Sequence, residues 1–261
     1  MKVACIQSCA GENYKKNIKQ ILSLINKSIK KKADLIITPE TCSLITSNKK
    51  ILLKNTYKMS EDPLIKKIQE ISKLNQKWIL IGSLPIKDNN KYRNRSIMIN
   101  PKGKIAAYYD KIKMFDVKLP NKEKHQESKT YKPGKRLVSV KLPWGNLGLT
   151  ICFDLRFPEI YRNLSKKNIK FISVPSAFTK VTGQKHWLTL LKARAIENFC
   201  FIFAPNQVGR NTKKRQTFGH SVIISPDGKI LKIKKKGVGI IYSNIDPGES
   251  FRLRKIIPSL K

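Results

Sequence analysis

The sequence lacks the features that mark membrane-spanning, disulfide-bonded and metal-binding proteins. No apolar run approaches the roughly 20 residues that a transmembrane helix needs, and the N-terminal stretch lacks the long apolar segment of a signal peptide. The 5 cysteines are odd in number and irregularly spaced, which argues against a disulfide framework. The 3 histidines lie far apart, and no cysteine pair has the C-x-x-C spacing of a zinc site. We therefore expect a cytoplasmic protein with no metal, no other cofactor and no membrane partner.

Acidic residues are also scarce, with 17 Asp and Glu against 54 Lys and Arg and a net charge of +37. Such a charge is typical of proteins that bind nucleic acid or other acidic partners. It also arises by compositional drift, because Lys, Ile and Asn share A/T-rich codons. The lysines are spread along the chain, and the densest clusters, 30–32 and 232–236, have no interleaved stacking aromatics. We favour drift and expect no nucleic-acid partner. The alternative hypothesis, from a different functional class, is a non-catalytic protein that binds acidic partners.

The organisation of the chain predicts a layered α/β fold. Its 261 residues are 40% hydrophobic and contain no linker or low-complexity block, so we expect a single domain over 1–261. Short runs rich in Ile, Val and Phe alternate with amphipathic stretches of helical period. Buried strands are predicted at 33–38, 78–83, 147–151, 171–174 and 200–204, and helices at about 17–31, 63–74 and 186–198.

Two segments of the sequence resemble each other. SIMINPKGKI at 96–105 and SVIISPDGKI at 221–230 each read as a strand, a Pro-x-Gly turn and a second strand. Proline presets φ for the first corner of such a turn, and glycine accepts a positive φ. We interpret the pair as hairpins of two similar halves that pack sheet to sheet, with helices outside.

Three chemically useful side chains each follow a predicted strand. Cys152 follows the strand predicted at 147–151, Glu40 follows the strand predicted at 33–38, and Lys111 follows a strand predicted at 105–109. Strand ends are where α/β proteins place their sites, and a nucleophile, a base and an oxyanion stabiliser make a sensible set. We expect nearby positive charge to lower the pKa of such a thiol. Considered singly, each residue also has a purely structural interpretation. Cys152 could be an inert buried cysteine, Glu40 an ordinary loop acid and Lys111 one lysine among many.

These segments resemble the three signatures of the nitrilase superfamily, in the same order. The resemblance covers nearly the whole chain and is carried by Pro39-Glu40, Asp110-Lys111, CFDLRFPE at 152–159, PSAF at 175–178 and GHS at 219–221. A fourth family residue, a glutamate between the lysine and the cysteine, is matched by Glu127. The resemblance implies a four-layer α-β-β-α sandwich with two pseudo-symmetric halves. It also implies a homodimer or larger homo-oligomer.

The same resemblance implies amide hydrolysis through a thioester. Cys152 would attack the amide carbon, and Glu40 would take the thiol proton and give one to the departing ammonia. Lys111 and the backbone N–H of Phe153 would hold the oxyanion, and Glu127 would orient Lys111 and the substrate. Water activated by Glu40 would then cleave the thioester. The partners expected are therefore a small-molecule amide and water.

The residues after the cysteine place the chain within the superfamily. True nitrilases carry Trp-Glu there, whereas this chain has Phe-Asp and looks like the branch of deaminated glutathione amidases and omega-amidases. We favour the first activity and keep the second, on α-ketoglutaramate or α-ketosuccinamate, as the alternative. Arg156 is a candidate for a substrate carboxylate, or else pairs with Glu159 or Asp154. The full set of substrate-binding candidates is Arg156, Phe153, Ser176, Phe178 and Thr179.

Overall fold

The computed structural model describes residues 1–89, 91–119, 124–213 and 215–260. None of the helices in that part of the chain is long and apolar enough to cross a membrane. The helices are α1 Tyr14–Lys30, α2 Lys49–Lys54, α3 Pro63–Asn75, α4 Pro158–Ser165, α5 Lys180–Asn198 and α6 Glu249–Ile256. The first eight strands are β1 Lys2–Gln7, β2 Leu35–Ile37, β3 Trp78–Asp88, β4 Lys91–Ile99, β5 Ile105–Asp110, β6 Asp116–Lys118, β7 Lys124–Gln126 and β8 Val138–Leu142. The others are β9 Gly145–Leu149, β10 Ile169–Ser173, β11 Phe201–Ala204, β12 Val208–Thr212, β13 Arg215–Phe218, β14 Ser221–Ile224, β15 Ile230–Lys234 and β16 Gly239–Asn244.

Two six-stranded sheets form the centre of the fold, and their topologies match strand for strand. The first sheet has the order β16-β1-β2-β3-β4-β5, and the second has β8-β9-β10-β11-β14-β15. In each, three central strands run parallel and the flanking strands pair antiparallel. The two Pro-x-Gly hairpins, β4-β5 and β14-β15, occupy equivalent edges. This confirms the two similar halves predicted from the sequence repeat.

The sheets pack face to face between outer helices. Along β1, Val3 and Cys5 belong to the core between the sheets, whereas Ala4 and Ile6 belong to the core under α1 and α3. Helices α4 and α5 cover the outer face of the second sheet. Both faces of the central strands are therefore buried, which explains why they read as continuous apolar runs. The four-layer α-β-β-α sandwich is confirmed, while the single domain over 1–261 stays a prediction.

Several element boundaries differ from the sequence prediction for local reasons. Helix α1 begins at Tyr14 because the Asn13 side chain accepts a hydrogen bond from the Lys16 N–H. Helix α5 begins at Lys180, before the predicted start at 186, and contains Gly183, where a Cβ would lie 2.4 Å from Phe218 Cγ. That glycine is required for close packing and does not break the helix. Strand β9 ends at Leu149, before the predicted 151, because the chain turns toward Cys152.

Candidate active site

The four candidate catalytic side chains lie around one cavity of about 770 Å³ at the ends of the central strands. Glu40 follows β2, Lys111 follows β5, Cys152 follows β9, and Glu127 begins a short 3-10 turn after β7. Because the two sheets face each other, strand ends from both halves meet at this edge. The first three are nearly inaccessible, with 3%, 2% and 8% of their surfaces exposed.

Cys152 sits on a sharp turn with a left-handed backbone, at φ 47°. Its N–H donates to the carbonyl of Pro175 at 3.0 Å, which anchors the turn to the loop after β10. A non-glycine residue in this conformation carries strain of about 1 kcal/mol or more, which surrounding contacts must offset. The turn therefore holds the thiol in a fixed position at the cavity wall.

Asp154 ties this turn to the segment that carries the lysine. It is fully buried and accepts hydrogen bonds from the Ile151 N–H at 2.9 Å, the Tyr109 hydroxyl at 2.7 Å and the Lys113 N–H at 2.9 Å. Burial raises its pKa to about 6, and the hydrogen bonds oppose that rise. The carboxylate thus connects the cysteine turn to the chain on both sides of Lys111.

Lys111 lies between two carboxylates. Its Nζ donates to Glu40 Oε1 at 3.0 Å and to Glu127 Oε2 at 2.7 Å. Burial alone would lower the lysine pKa, but the charges of Glu127 and Glu40 outweigh it and hold the pKa above its usual range. The lysine is therefore a permanent cation at neutral pH, as an oxyanion stabiliser must be.

The two carboxylates are fixed by further donors. The Asn94 amide donates from Nδ2 to Glu40 Oε1 at 2.9 Å and to Glu127 Oε1 at 3.0 Å. The Ala177 N–H donates to Glu40 Oε2 at 2.7 Å, and the Phe115 N–H donates to Glu127 Oε2 at 2.7 Å. Both carboxylates therefore have fixed orientations before any substrate binds.

The pKa of Glu40 is lowered, whereas the pKa of Cys152 is raised. Burial raises the pKa of Glu40, but Lys111, Arg215 and a hydrogen bond from the Cys152 thiol outweigh burial and hold it below its usual value. Burial and then the Glu40 charge raise the pKa of Cys152, and Lys111 opposes them only in part. The expectation of a lowered thiol pKa is wrong, because burial and the neighbouring carboxylate together outweigh the effect of the lysine. The resting pair is a thiol beside an ionised carboxylate, which suits proton transfer during attack.

Gly82 of β3 permits the close approach of the loop that carries Glu40. A Cβ at this position would lie 1.9 Å from the Thr38 carbonyl oxygen, 2.6 Å from that of Pro39 and 2.7 Å from the Pro175 Cβ. Such distances are far inside van der Waals contact, and two of the three partners are rigid backbone. Only glycine lets the loop before Glu40 and the loop after β10 approach each other here.

The substrate-binding candidates divide into two groups. Phe153, Phe178 and Thr179 line the cavity. Ser176 and Arg156 are not among the residues that line it: Ser176 is fully buried in the second sheet's loop, and Arg156 reaches His186, with Nη2 3.2 Å from Nδ1. Neither side chain lines the cavity in this structure, and a substrate contact for these two stays a prediction. Within the described residues Arg156 also makes neither expected ion pair, because its guanidinium lies over the Phe178 ring.

The sequence patterns did not identify Asn94 and Arg215 as functional residues, although both line the cavity. Asn94 lies in a strand between two arginines, where nothing distinguishes it from a surface residue, and only β-pairing brings it to Glu40. Arg215 is one of 54 basic residues and reaches the cavity from a separate hairpin. A weak signal for Asn94 was its position as a polar residue near the start of a strand whose later residues are buried.

A thiol beside an ionised carboxylate and a buried lysine is an arrangement that suits nucleophilic acyl transfer. Residues 2–255 match the family model of carbon-nitrogen hydrolases. The chain is 36% identical to a deaminated glutathione amidase of Yersinia enterocolitica, over 99% of this chain and 91% of that protein. It is 35% identical to one of Synechocystis, over 99% of this chain and 96% of that protein.

The solved structures agree with the sequence relatives. A Saccharomyces cerevisiae member of branch 10 of the nitrilase superfamily superposes with a TM-score of 0.89 at 25% identity, covering 100% of this chain and 95% of that one. The chain belongs to the carbon-nitrogen hydrolase family, within the nitrilase superfamily. It is an amidase, an enzyme that hydrolyses the carbon–nitrogen bond of amides.

Proposed function

We propose that the chain hydrolyses deaminated glutathione through a thioester on Cys152. The observation that carries this is the hydrogen-bonded set of Cys152, Glu40 and Lys111 at one cavity, in a chain similar to two deaminated glutathione amidases over nearly its full length. The alternative is an omega-amidase that acts on α-ketoglutaramate or α-ketosuccinamate. Both activities cleave an amide of an α-keto diacid, so the chemistry at the sulfur is the same.

In the first half of the reaction, the Cys152 sulfur bonds to the amide carbon as the thiol proton passes to Glu40. The carbonyl oxygen becomes an oxyanion, which Lys111 Nζ and the Phe153 N–H stabilise. The carbon–nitrogen bond then breaks, and the proton held by Glu40 goes to the leaving nitrogen. That nitrogen departs as ammonia from α-ketoglutaramate and as cysteinylglycine from deaminated glutathione.

In the second half, water attacks the thioester carbon as Glu40 accepts a proton from it. A second oxyanion forms in the same place, the carbon–sulfur bond breaks, and the proton returns to the sulfur. Glu127 does not meet the reacting atoms in this scheme. It keeps Lys111 directed at the cavity through the 2.7 Å hydrogen bond to Nζ.

The size of the cavity favours the larger substrate. Its volume of about 770 Å³ falls in the range of roughly 300–1,000 Å³ that holds drug-sized ligands. Deaminated glutathione has a dipeptide beyond the scissile amide, whereas α-ketoglutaramate ends there. A cavity for the small amide alone would need far less space.

The proposal extends to location and assembly. The 5 cysteines are all free thiols, as is typical of proteins in a reducing compartment, which supports the cytoplasm. Phe251 and Ile256 of α6 are 56% and 73% exposed, and such apolar side chains on one helix support a homodimer. Light scattering on a sizing column would measure the assembly, and a monomeric mass would contradict the dimer.

The test is product analysis with each substrate. Purified protein is incubated with deaminated glutathione and with α-ketoglutaramate, and cysteinylglycine and ammonia are quantified by mass spectrometry. We expect kcat/KM to be higher for deaminated glutathione and both activities to vanish in Cys152→Ala. Cys9→Ala is the matched control, because this half-buried thiol does not line the cavity. Turnover undiminished in Cys152→Ala would overturn the proposal.

A further inference from the structure

A short hairpin, β12-β13, adds one cation to the cavity wall. Arg215 begins β13, and the hairpin is fastened to the loop after β10 by the Phe218 N–H, which donates to the Phe178 carbonyl at 2.9 Å. A further bridge joins Thr217 to Thr179. These contacts fix the strand beside the loop, so that Arg215 lines the cavity with Thr179 and Ala177.

The guanidinium of Arg215 has unused hydrogen-bonding capacity. Its Nη2 donates to the Ala177 carbonyl at 3.0 Å, and its Nε is buried without a hydrogen-bond partner. No Asp or Glu within the described ranges forms an ion pair with it. A guanidinium offers five N–H donors in a planar fork, and a partly buried charge of this kind is stabilised by an anion. Within the described residues the guanidinium therefore makes no direct ion pair, although its charge acts on Glu40, and it has donors left for a ligand.

The charges along the cavity wall point to the same ligand class. Lys111, Lys124 and Arg215 are the lysines and arginine that line it, against Glu40 and Glu127. Both carboxylates are already engaged by Lys111. The three cations against the two carboxylates leave a net charge of +1 on the cavity wall, which attracts an anion into the cavity, and the low-dielectric walls strengthen the attraction.

We propose that Arg215 determines specificity by binding a carboxylate of the substrate, so that the enzyme prefers amides whose acyl part carries an acid group. This rests on the proposed amidase function and deepens it. The sequence had suggested Arg156 for this contact, but Arg156 is directed to His186. Ala177 links the two ends of the site, because its N–H holds Glu40 and its carbonyl holds Arg215. A carboxylate bound in the fork of Arg215 therefore has a fixed position relative to the base.

The experiment compares two substrates that differ by one charge. Glutaramate carries a carboxylate, whereas pentanamide has a methyl group in its place, and both release ammonia. For wild type we expect kcat/KM for glutaramate to exceed that for pentanamide about 10- to 100-fold, as a charged hydrogen bond implies. Arg215→Gln should remove this preference through a higher KM for glutaramate. Loss of the Arg215 charge also raises the pKa of Glu40 for both substrates, so the readout is the ratio of the two kcat/KM values, which should fall toward one.

Two further variants separate binding from fold effects. Arg210→Gln removes the same charge from the exposed face of β12 and should keep the wild-type preference. Arg215→Lys keeps the charge but loses the bidentate fork, so it should give an intermediate preference. An equal loss for both substrates in Arg215→Gln would assign a structural role and overturn the proposal, as would a preference that disappears in Arg156→Gln instead.

A binding measurement tests Arg215 independently of turnover. Glutarate, titrated calorimetrically into wild type, should bind at least tenfold more weakly to Arg215→Gln and unchanged to Arg210→Gln. Equal binding to wild type and Arg215→Gln would overturn the inference even if the amidase activity is found. Weakened binding without any amide turnover would instead contradict the proposed function and leave the carboxylate site standing.

Discussion

Asn94→Ala is the sharpest test of how the carboxylates are organised. The Asn94 side chain is 2% exposed, and its single amide nitrogen bonds to both Glu40 and Glu127. Together with Lys111 it closes a ring that holds two like charges on either side of one cation. The variant removes one donor from each carboxylate and leaves the lysine and one backbone N–H on each.

The magnitude follows from the hydrogen bonds that are lost. Two hydrogen bonds to charged groups are lost, at about 1.5–3 kcal/mol each, and water entering the vacated space restores about half of this, so we expect about 2–3 kcal/mol of lost stability. If at least half of that loss is felt in the transition state, kcat/KM falls about 5- to 150-fold. Because a donor to an ionised carboxylate lowers its pKa, the acid limb of the kcat/KM profile should also move to higher pH.

The assay combines denaturant unfolding with the pH dependence of kcat/KM on the preferred amide. Asn75→Ala is the matched control, since Asn75 Nδ2 donates to the Ile71 carbonyl in α3, away from the cavity. It should leave the pH profile unchanged. An Asn94→Ala enzyme that loses stability but keeps both the wild-type rate and the wild-type acid limb would refute the reasoning.

The other predictions concern close packing and proton linkage. Gly82→Ala should cut kcat/KM at least tenfold, because its Cβ would displace the loop before Glu40; a wild-type rate in a folded variant would contradict this. The buried Asp154 has a pKa raised from 3.8 to about 6, so the stability of wild type relative to Asp154→Asn should fall by about 2 kcal/mol as pH rises from 4 to 7. Glu40 has the opposite shift, so its stabilisation is present above its unfolded pKa of 4.5 and is lost as pH falls. The stability of wild type relative to Glu40→Gln should therefore grow from acid to neutral pH, and denaturant unfolding at several pH values checks both signs.

Local sequence patterns predicted the central strands and the two Pro-x-Gly hairpins, but not the edge strands β8 and β16. Apolar runs marked the central strands, and the paired Pro-x-Gly hairpins correctly predicted the two matching halves. Strand ends located Glu40, Lys111 and Cys152, which the fold brings to one cavity. The family resemblance added Glu127, which no strand pattern marked.

The remaining features depend on contacts between segments distant in the chain. Asn94 reaches Glu40 across 54 residues, and Arg215 reaches Ala177 across 38, so no local pattern could reveal either contact. The direction of the Cys152 pKa was predicted wrongly for the same reason. It depends on the depth of burial and on the distance to Glu40, and both arise only when the two sheets pack together.

The central claim is that Cys152 forms a thioester during amide hydrolysis. Intact-mass spectrometry of protein quenched in acid within the first turnover of deaminated glutathione tests it directly. We predict a mass increase equal to the α-ketoglutaryl group, localised to the peptide that contains Cys152 and absent from Cys152→Ala. An adduct on another residue, or full turnover by Cys152→Ala, would contradict the account.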